Sequence, residues 1–158
     1  MTVHIGPLGP EHAGEALTVQ WAAYVPVARH YAEPNLPPLA ETVDALRADL
    51  AAGIPALGAW LDTRLVGSVR GRPDGERMEV ARLSVAPDMQ GRGIGRRLLA
   101  AIEAAAPPAV RTLWLVTGTK SDGSLELYRR AGYAIVGGST DAAGIAMAVL
   151  EKSVGGGA

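Results

Sequence analysis

The chain has 158 residues, 48% of them hydrophobic, with a formal net charge of −1 and no cysteine. That length and apolar content suit one soluble domain with a packed core, expected over residues 1–152, with 153–158 as a flexible tail. The near-zero charge argues against a general nucleic-acid binder, and the missing cysteines exclude disulfides, thiolate metal sites and a cysteine nucleophile. No apolar run reaches the ~18 residues of a membrane span. The stretch Met1-Thr2-Val3-His4-Ile5 lacks a basic region followed by an apolar core, so a cytoplasmic protein without a membrane partner is expected.

Val3-His4-Ile5 reads as a first strand, and Glu11 to Ala23 as a helix carrying Leu17, Gln20 and Trp21, with Trp21 placed in the core. Val25 to Pro38 holds four prolines and reads as a loop or broken helical pieces, and Tyr24 and Tyr31, aromatics with polar tips, could line a pocket. Glu33 and Glu41 are carboxylates that could attract a cation there, and His30 is a surface histidine. Glu41 to Ala52 is a second helix, stopped by Gly53. A hairpin follows, Ala56 to Leu61 and Leu65 to Arg70, and a turn at Arg72-Pro73-Asp74-Gly75 leads into a strand from Met78 to Val85. Ile94 to Ala105 has a helical apolar face of Ile94, Leu98, Leu99 and Ile102, and Pro107-Pro108 ends it. Arg111 to Thr117 is a strand, Ser124 to Arg130 a helix, and Tyr133 to Val136 and Ile145 to Leu150 the last two strands. Trp60 and Trp114 fall within apolar strands and read as core. This order predicts an α/β (α+β) fold: one mixed sheet of about seven strands flanked on both faces by about four helices.

Between the strand ending at Val85 and the helix starting at Ile94 lies Gln90-Gly91-Arg92-Gly93-Ile94-Gly95. A glycine-rich strand-to-helix turn presents backbone N–H groups at the positive end of a helix dipole, a geometry that binds phosphate. It is not the dinucleotide fingerprint, because Arg96 stands where the third glycine belongs, and it is not a Walker loop. Arg92, Arg96 and Arg97 put cations where an uncomplexed helix start favours acids, which an anionic ligand would reconcile.

Leu83-Ser84-Val85-Ala86-Pro87-Asp88-Met89-Gln90-Gly91-Arg92-Gly93-Ile94-Gly95-Arg96 resembles the acetyl-coenzyme A signature of the GNAT N-acetyltransferases, Q/R-x-x-G-x-G/A, with Gln90, Gly93 and Gly95 in its three positions. Leu127-Tyr128-Arg129-Arg130-Ala131-Gly132-Tyr133 resembles that family's second signature, L-Y-x-x-x-G-F/Y, and the element order is similar from end to end. The resemblance implies a GNAT fold and an N-acetyltransferase using acetyl-CoA as co-substrate, with no metal. Amides of Gly91, Arg92, Gly93, Ile94, Gly95 and Arg96 would hold the pyrophosphate. Backbone groups of Leu83, Ser84 and Val85 would meet the pantetheine arm in a gap before the Arg111–Thr117 strand, usually opened by a bulge. Tyr128 would protonate the leaving thiolate and Glu79, on one strand face with Ala81, Leu83 and Val85, would be the base; the Val85 N–H would donate to the thioester oxygen. Ser121 stands where many members carry a cofactor-touching asparagine, and Val116 excludes a base at its position. The acceptor implied is a small-molecule or peptide amine, met by direct attack in a ternary complex. A homodimer built on the last strands is compatible with the resemblance. A non-catalytic acyl-CoA-binding or regulatory domain, needing neither Tyr128 nor Glu79, and a nucleotide-binding α/β domain are the alternatives.

Overall fold

A computed structural model of the chain describes residues 2–155. Seven strands form one sheet in the order β1-β2-β3-β4-β5-β7-β6. The strands are β1 (Val3–Pro7), β2 (Ala56–Leu61), β3 (Arg64–Asp74), β4 (Arg77–Val85), β5 (Thr112–Gly118), β6 (Ala134–Thr140) and β7 (Ala146–Ser153). The helices are α1 (Ala13–Tyr31), α2 (Pro37–Ala40), α3 (Val43–Ala51), α4 (Ile94–Ala104) and α5 (Asp122–Arg130). Every neighbouring pair is antiparallel except β4 and β5, which run parallel through the crossover made by α4. The expected mixed seven-stranded sheet with helices on both faces is the fold observed.

Alternation along β3 assigns the two faces. A Cβ on Gly67 would lie 2.9 Å from Leu98 Cδ1 of α4, so this position needs a residue without one. Gly71 points the same way, toward Ile102 Cδ1. Arg70, between them, turns to the opposite face and reaches Gln20 of α1. The core therefore lies on both sides of β3. Leu98, Leu99 and Ile102 fill the α4 side, and their helical spacing makes one continuous apolar stripe.

Local chemistry places the ends. Thr42 Oγ1 accepts from the Ala45 N–H at 3.2 Å and caps α3, and Gly53, at φ +79°, follows its last turn. The turn between β3 and β4 is Gly75-Glu76 rather than Arg72 to Gly75. β3 continues through Pro73, paired with Met78, and only Gly75 adopts the positive φ (+62°) that a two-residue hairpin connection requires.

α1 departs most from expectation, running on through Pro26 to Tyr31 where a loop was expected. Its core-facing residues end at Gln20. Beyond that point Trp21, Ala22, Val25 and Pro26 are exposed, so water can satisfy the carbonyl that Pro26 leaves without a partner. Trp21, expected in the core, is 42% exposed. Trp60 is half-buried with its ring against His12, and Trp114 is half-buried beneath the Arg77 guanidinium. At the other end β7 runs to Ser153 and the Val154 N–H bonds to the Arg111 carbonyl at 2.9 Å, so the chain is anchored past the expected tail boundary. Residues 156–158 of that tail lie outside the described residues.

One polar cluster ties α1, the α2–α3 junction and β3 together. Arg70, 2% exposed, donates to both Glu41 oxygens (2.7 and 2.9 Å), to Asp49 Oδ2 (2.9 Å) and to Gln20 Oε1 (2.9 Å). Gln20 returns its amide to Glu41 Oε1 and the Pro38 carbonyl, and Arg72 joins Asp49 at 2.7 Å. Burial opposes ionisation of Glu41, but hydrogen bonds from Arg70 and Gln20 and the charges of Arg70 and Arg82 outweigh it and lower its pKa to about 2. Glu41 is thus a structural counter-ion rather than a free attractor for a cation. Its ionised form stabilises the fold above the ordinary carboxyl pKa, and that contribution fades as pH falls from 4.5 toward 2. Glu41→Gln should cost roughly 3 kcal/mol at neutral pH, since it leaves the buried Arg70 guanidinium only Asp49 as a counter-charge. Chemical denaturation across pH should show its deficit against the parent chain shrinking below pH 4.5; a deficit independent of pH would show that the carboxylate charge is not what holds the cluster.

Candidate active site

β4 and β5 pair over only three residues, Arg77 to Glu79 against Thr112 to Trp114. Past Glu79 they separate, and the cause lies on the other edge of β4. Ser84 pairs with Ser68 of β3 but Ala81 pairs with Arg70, so Arg82 and Leu83 together oppose Val69. This is a β-bulge, with Arg82 held at φ +57°. Ser84 is buried and its Oγ donates to the Arg82 carbonyl at 3.0 Å, inside the bulge. A bulge bends its strand and increases the local twist, which carries the end of β4 away from β5. The even alternation expected along β4 is interrupted here, yet Glu79, Ala81, Leu83 and Val85 all line the cleft that opens.

That cleft has a volume of about 820 Å³. Its outer end is the turn into α4. Gly91 and Gly93 take φ +77° and +78°, and Gly93 is an N-cap with no capping side chain. The first helical hydrogen bond into this end runs from the Arg97 N–H to the Gly93 carbonyl, so the amides ahead of it are left for another acceptor. Gln90, Gly91, Gly93, Ile94, Gly95 and Arg96 line this part of the cleft. Gln90 Nε2 donates to the Val85 carbonyl at 3.2 Å and ties the turn to the end of β4. Arg64 and Asp88 brace the preceding turn at 2.7 and 2.8 Å. The three expected cations divide. Arg96 lines the cleft, Arg92 is exposed outside its walls, and Arg97 turns away to the Val3 carbonyl at 2.9 Å. Ser84 also faces away from the cleft, for the reason given above.

Tyr128, from α5, is buried in the cleft wall. Burial raises its pKa well above that of an ordinary phenol, with nearby Tyr24 adding to the shift. Its ring meets Tyr133 edge-on at 6.0 Å, and Tyr133 is held by Glu103 at 2.9 Å. Among the described residues no protein group hydrogen-bonds the Tyr128 hydroxyl.

The match to known proteins decides the family. The model of the acetyltransferase (GNAT) family matches residues 20–133. The chain belongs to the GNAT acetyltransferase family. At the level of sequence, no curated protein matches it. Among solved structures it is similar to a PaiA N-acetyltransferase from Thermoplasma acidophilum in complex with coenzyme A, at 18% identity and TM-score 0.77, covering 98% of this chain and 100% of that one. A GCN5-related N-acetyltransferase from Rhodopseudomonas palustris matches at 22% identity and TM-score 0.80, covering 98% and 97%. The yncA protein of Salmonella typhimurium, solved with its cofactor acetyl-CoA, matches at 14% identity and TM-score 0.78, covering 97% and 94%. At these identities the likeness is one of fold.

The inner end of this GNAT cleft gathers a carboxylate, phenols and hydroxyls. Glu79 stands at the last pairing of β4 with β5, where the strands part. Neither arginine near it in sequence holds its carboxylate: Arg77 pairs with Glu151 at 2.9 Å, and Arg82 lies nearest Glu41. Tyr24 reaches from α1 toward the Leu83 carbonyl at 3.5 Å. Its pKa is raised chiefly by burial, against the charges of Arg82 and Arg70. Ser121 lines the cleft, with its Oγ 2.8 Å from the Tyr31 hydroxyl, which also accepts from the Lys120 N–H at 2.9 Å. His30 Nε2 adds a contact to the Lys120 carbonyl at 2.8 Å. Tyr31 and His30 therefore clamp the end of α1 to the β5–α5 loop.

Sequence reasoning missed that clamp because a proline-rich stretch reads as loop. The available signal was Gly118, whose missing Cβ leaves the space that the Tyr31 phenol occupies. Asp141 was also missed. It lines the cleft from the β6–β7 loop, and its Oδ1 accepts from the Ala143 and Ile145 N–H groups at 2.9 Å each. The run Asp141-Ala142-Ala143-Gly144 carried this as an Asp-led turn. Among the described residues no cluster of histidines and carboxylates could hold a metal ion, and no helix is long and apolar enough to cross a membrane.

Proposed function

We propose that the chain is an acetyl-CoA-dependent N-acetyltransferase acting on a primary amine by direct attack in a ternary complex. One observation carries the reading: an opened strand edge and an uncapped, glycine-shaped helix N-terminus line the same cleft. A diphosphate joined to a peptide-like arm matches both surfaces. The anion suits the amides of Gly91 to Arg96 and the Arg96 cation, and the arm's amides suit the β4 edge at Leu83 and Val85. The volume lies within the usual range for small-ligand sites.

Acetyl-CoA would supply the thioester whose C–S bond is exchanged for an amide bond to the acceptor. The chain's own groups handle the protons. Tyr128 is protonated at neutral pH, as an ordinary phenol is, and burial disfavours its phenolate further, so it holds a proton available to the departing sulfur. Glu79, not held by Arg77 or Arg82, can take the amine's proton directly or through a water. The Val85 N–H can donate to the thioester oxygen. A purely acyl-CoA-binding domain would need neither an unpartnered buried phenol nor an uncommitted carboxylate at the strand junction, so the enzyme is the better reading.

Thiol release from acetyl-CoA in the presence of a panel of amines tests the activity. Tyr128→Phe should lower kcat by about 100-fold or more, with the KM for acetyl-CoA little changed; an unaltered kcat across pH would remove the tyrosine as proton donor. Glu79→Gln should depress the rate most near neutral pH, with the deficit shrinking at alkaline pH, where the amine no longer needs a base. A variant profile that overlays the parent's would assign the base elsewhere.

A further inference from the structure

Arg82 is a second feature of the bulge that holding the strands apart does not explain. Glycine, or a short polar residue, would fill a left-handed position at less cost than arginine. Its Nε is buried and has no hydrogen-bond partner. The nearest carboxylate oxygen, Glu41 Oε1, is 3.7 Å away, beyond hydrogen-bonding distance. That oxygen already accepts from Arg70 and Gln20, and Glu41 Oε2 accepts from Arg70 as well. Charge leads to the same place. Arg70, Arg72 and Arg82 share only Glu41 and Asp49, so the cluster carries one surplus positive charge.

Where that surplus faces is informative. Arg82 lines the main cleft and forms the wall between it and a neighbouring hollow bounded by Glu33, Asn35 and Ala143. Of the acidic groups nearby, Glu33 is engaged by the Asn35 N–H, and Asp141 Oδ1 is engaged by its own turn. Glu79 lies three residues before Arg82 on the same strand, ahead of the bulge, and forms no ion pair with it. The acceptor end of the cleft thus presents an uncommitted carboxylate and an under-satisfied planar cation on one strand.

We propose that Arg82 is a specificity-determining residue that binds an anionic group of the acceptor, so that the preferred substrate is an amine bearing a nearby carboxylate, such as an α-amino acid. This rests on the acetyltransferase reading and narrows it. The terminal nitrogens of the guanidinium, on a side chain 27% exposed, offer the carboxylate parallel N–H donors, while the amine lies toward Glu79. A site that holds donors for a substrate group rejects analogues lacking it, because the donors are then left buried and unpaired.

The test is a panel of matched acceptors: amino acids, their amides and the corresponding decarboxylated amines. Titration with acetyl-CoA comes first and serves as the folding check. If acetyl-CoA does not bind, the parent reading falls and this inference with it. With acetyl-CoA bound, the free amino acids should exceed their matched amines in kcat/KM by about 10-fold or more. Arg82→Asn keeps a residue that tolerates positive φ, and it should bring that ratio close to one through KM. Arg82→Lys keeps the charge without the planar fork and should retain part of the preference. A panel in which carboxylate-bearing members are not favoured, including one in which none reacts, overturns the inference and leaves acetyl-CoA binding standing. So does an Arg82→Asn variant that slows both members of each pair equally, as a purely structural role would.

Discussion

The parting of β4 from β5 is the feature on which the rest of the molecule depends. Two parallel strands in a continuous sheet would consume each other's backbone donors and acceptors, leaving no groove between them. Here pairing stops at Glu79 because one extra residue in β4, Arg82 at φ +57°, bends the strand on its β3 side. A non-glycine residue in that conformation costs roughly 1–2 kcal/mol. The fold holds it with the Ser84 hydroxyl on the Arg82 carbonyl, with β3 pairing on both sides of the bulge, and with the Arg70 cluster beneath. The opened strand then delivers its end to the turn at Gln90, whose amide returns to the Val85 carbonyl, so the groove and the helix N-terminus form one continuous surface.

Much of this was legible in the sequence, for identifiable reasons. The Leu98, Leu99 and Ile102 stripe announced α4, and Gly91 and Gly93 announced a turn needing positive φ, because both signals are local. Tyr128 and Glu79 came from the resemblance of two motifs to a family, and the fold brings both into one cleft. What could not be read depended on distant partners. The bulge at Arg82 has no local signature, since it is set by the register against β3. The persistence of α1 through Pro26 follows from the exposure of that face, which the sequence does not state. Arg97 counted as a phosphate-side cation until its partner proved to be the Val3 carbonyl on β1, 94 residues away in sequence. Ser84 followed the same logic: it stands in the right strand, but its hydroxyl belongs to the bulge.

Electrostatics divides the cleft by task. The outer end carries backbone N–H groups and Arg96, suited to anions. The inner end carries Glu79 and a buried phenol whose proton is held tightly by desolvation. Between them lies the strand edge of β4 that β5 leaves unpaired past Glu79. The buried arginine cluster sits behind this wall. It fixes the α1 and α2 segments that line the cleft, and leaves one guanidinium incompletely partnered at the cleft surface.

We propose that the β4 edge and the α4 N-terminus act as a single receptor for one elongated ligand. Backbone amide chemical shifts during titration with acetyl-CoA test it most directly. The amides of Leu83 and Val85 should move together with those of Gly91 to Arg96, on one binding curve. No binding at millimolar ligand, or shifts confined to a surface away from this groove, would contradict it.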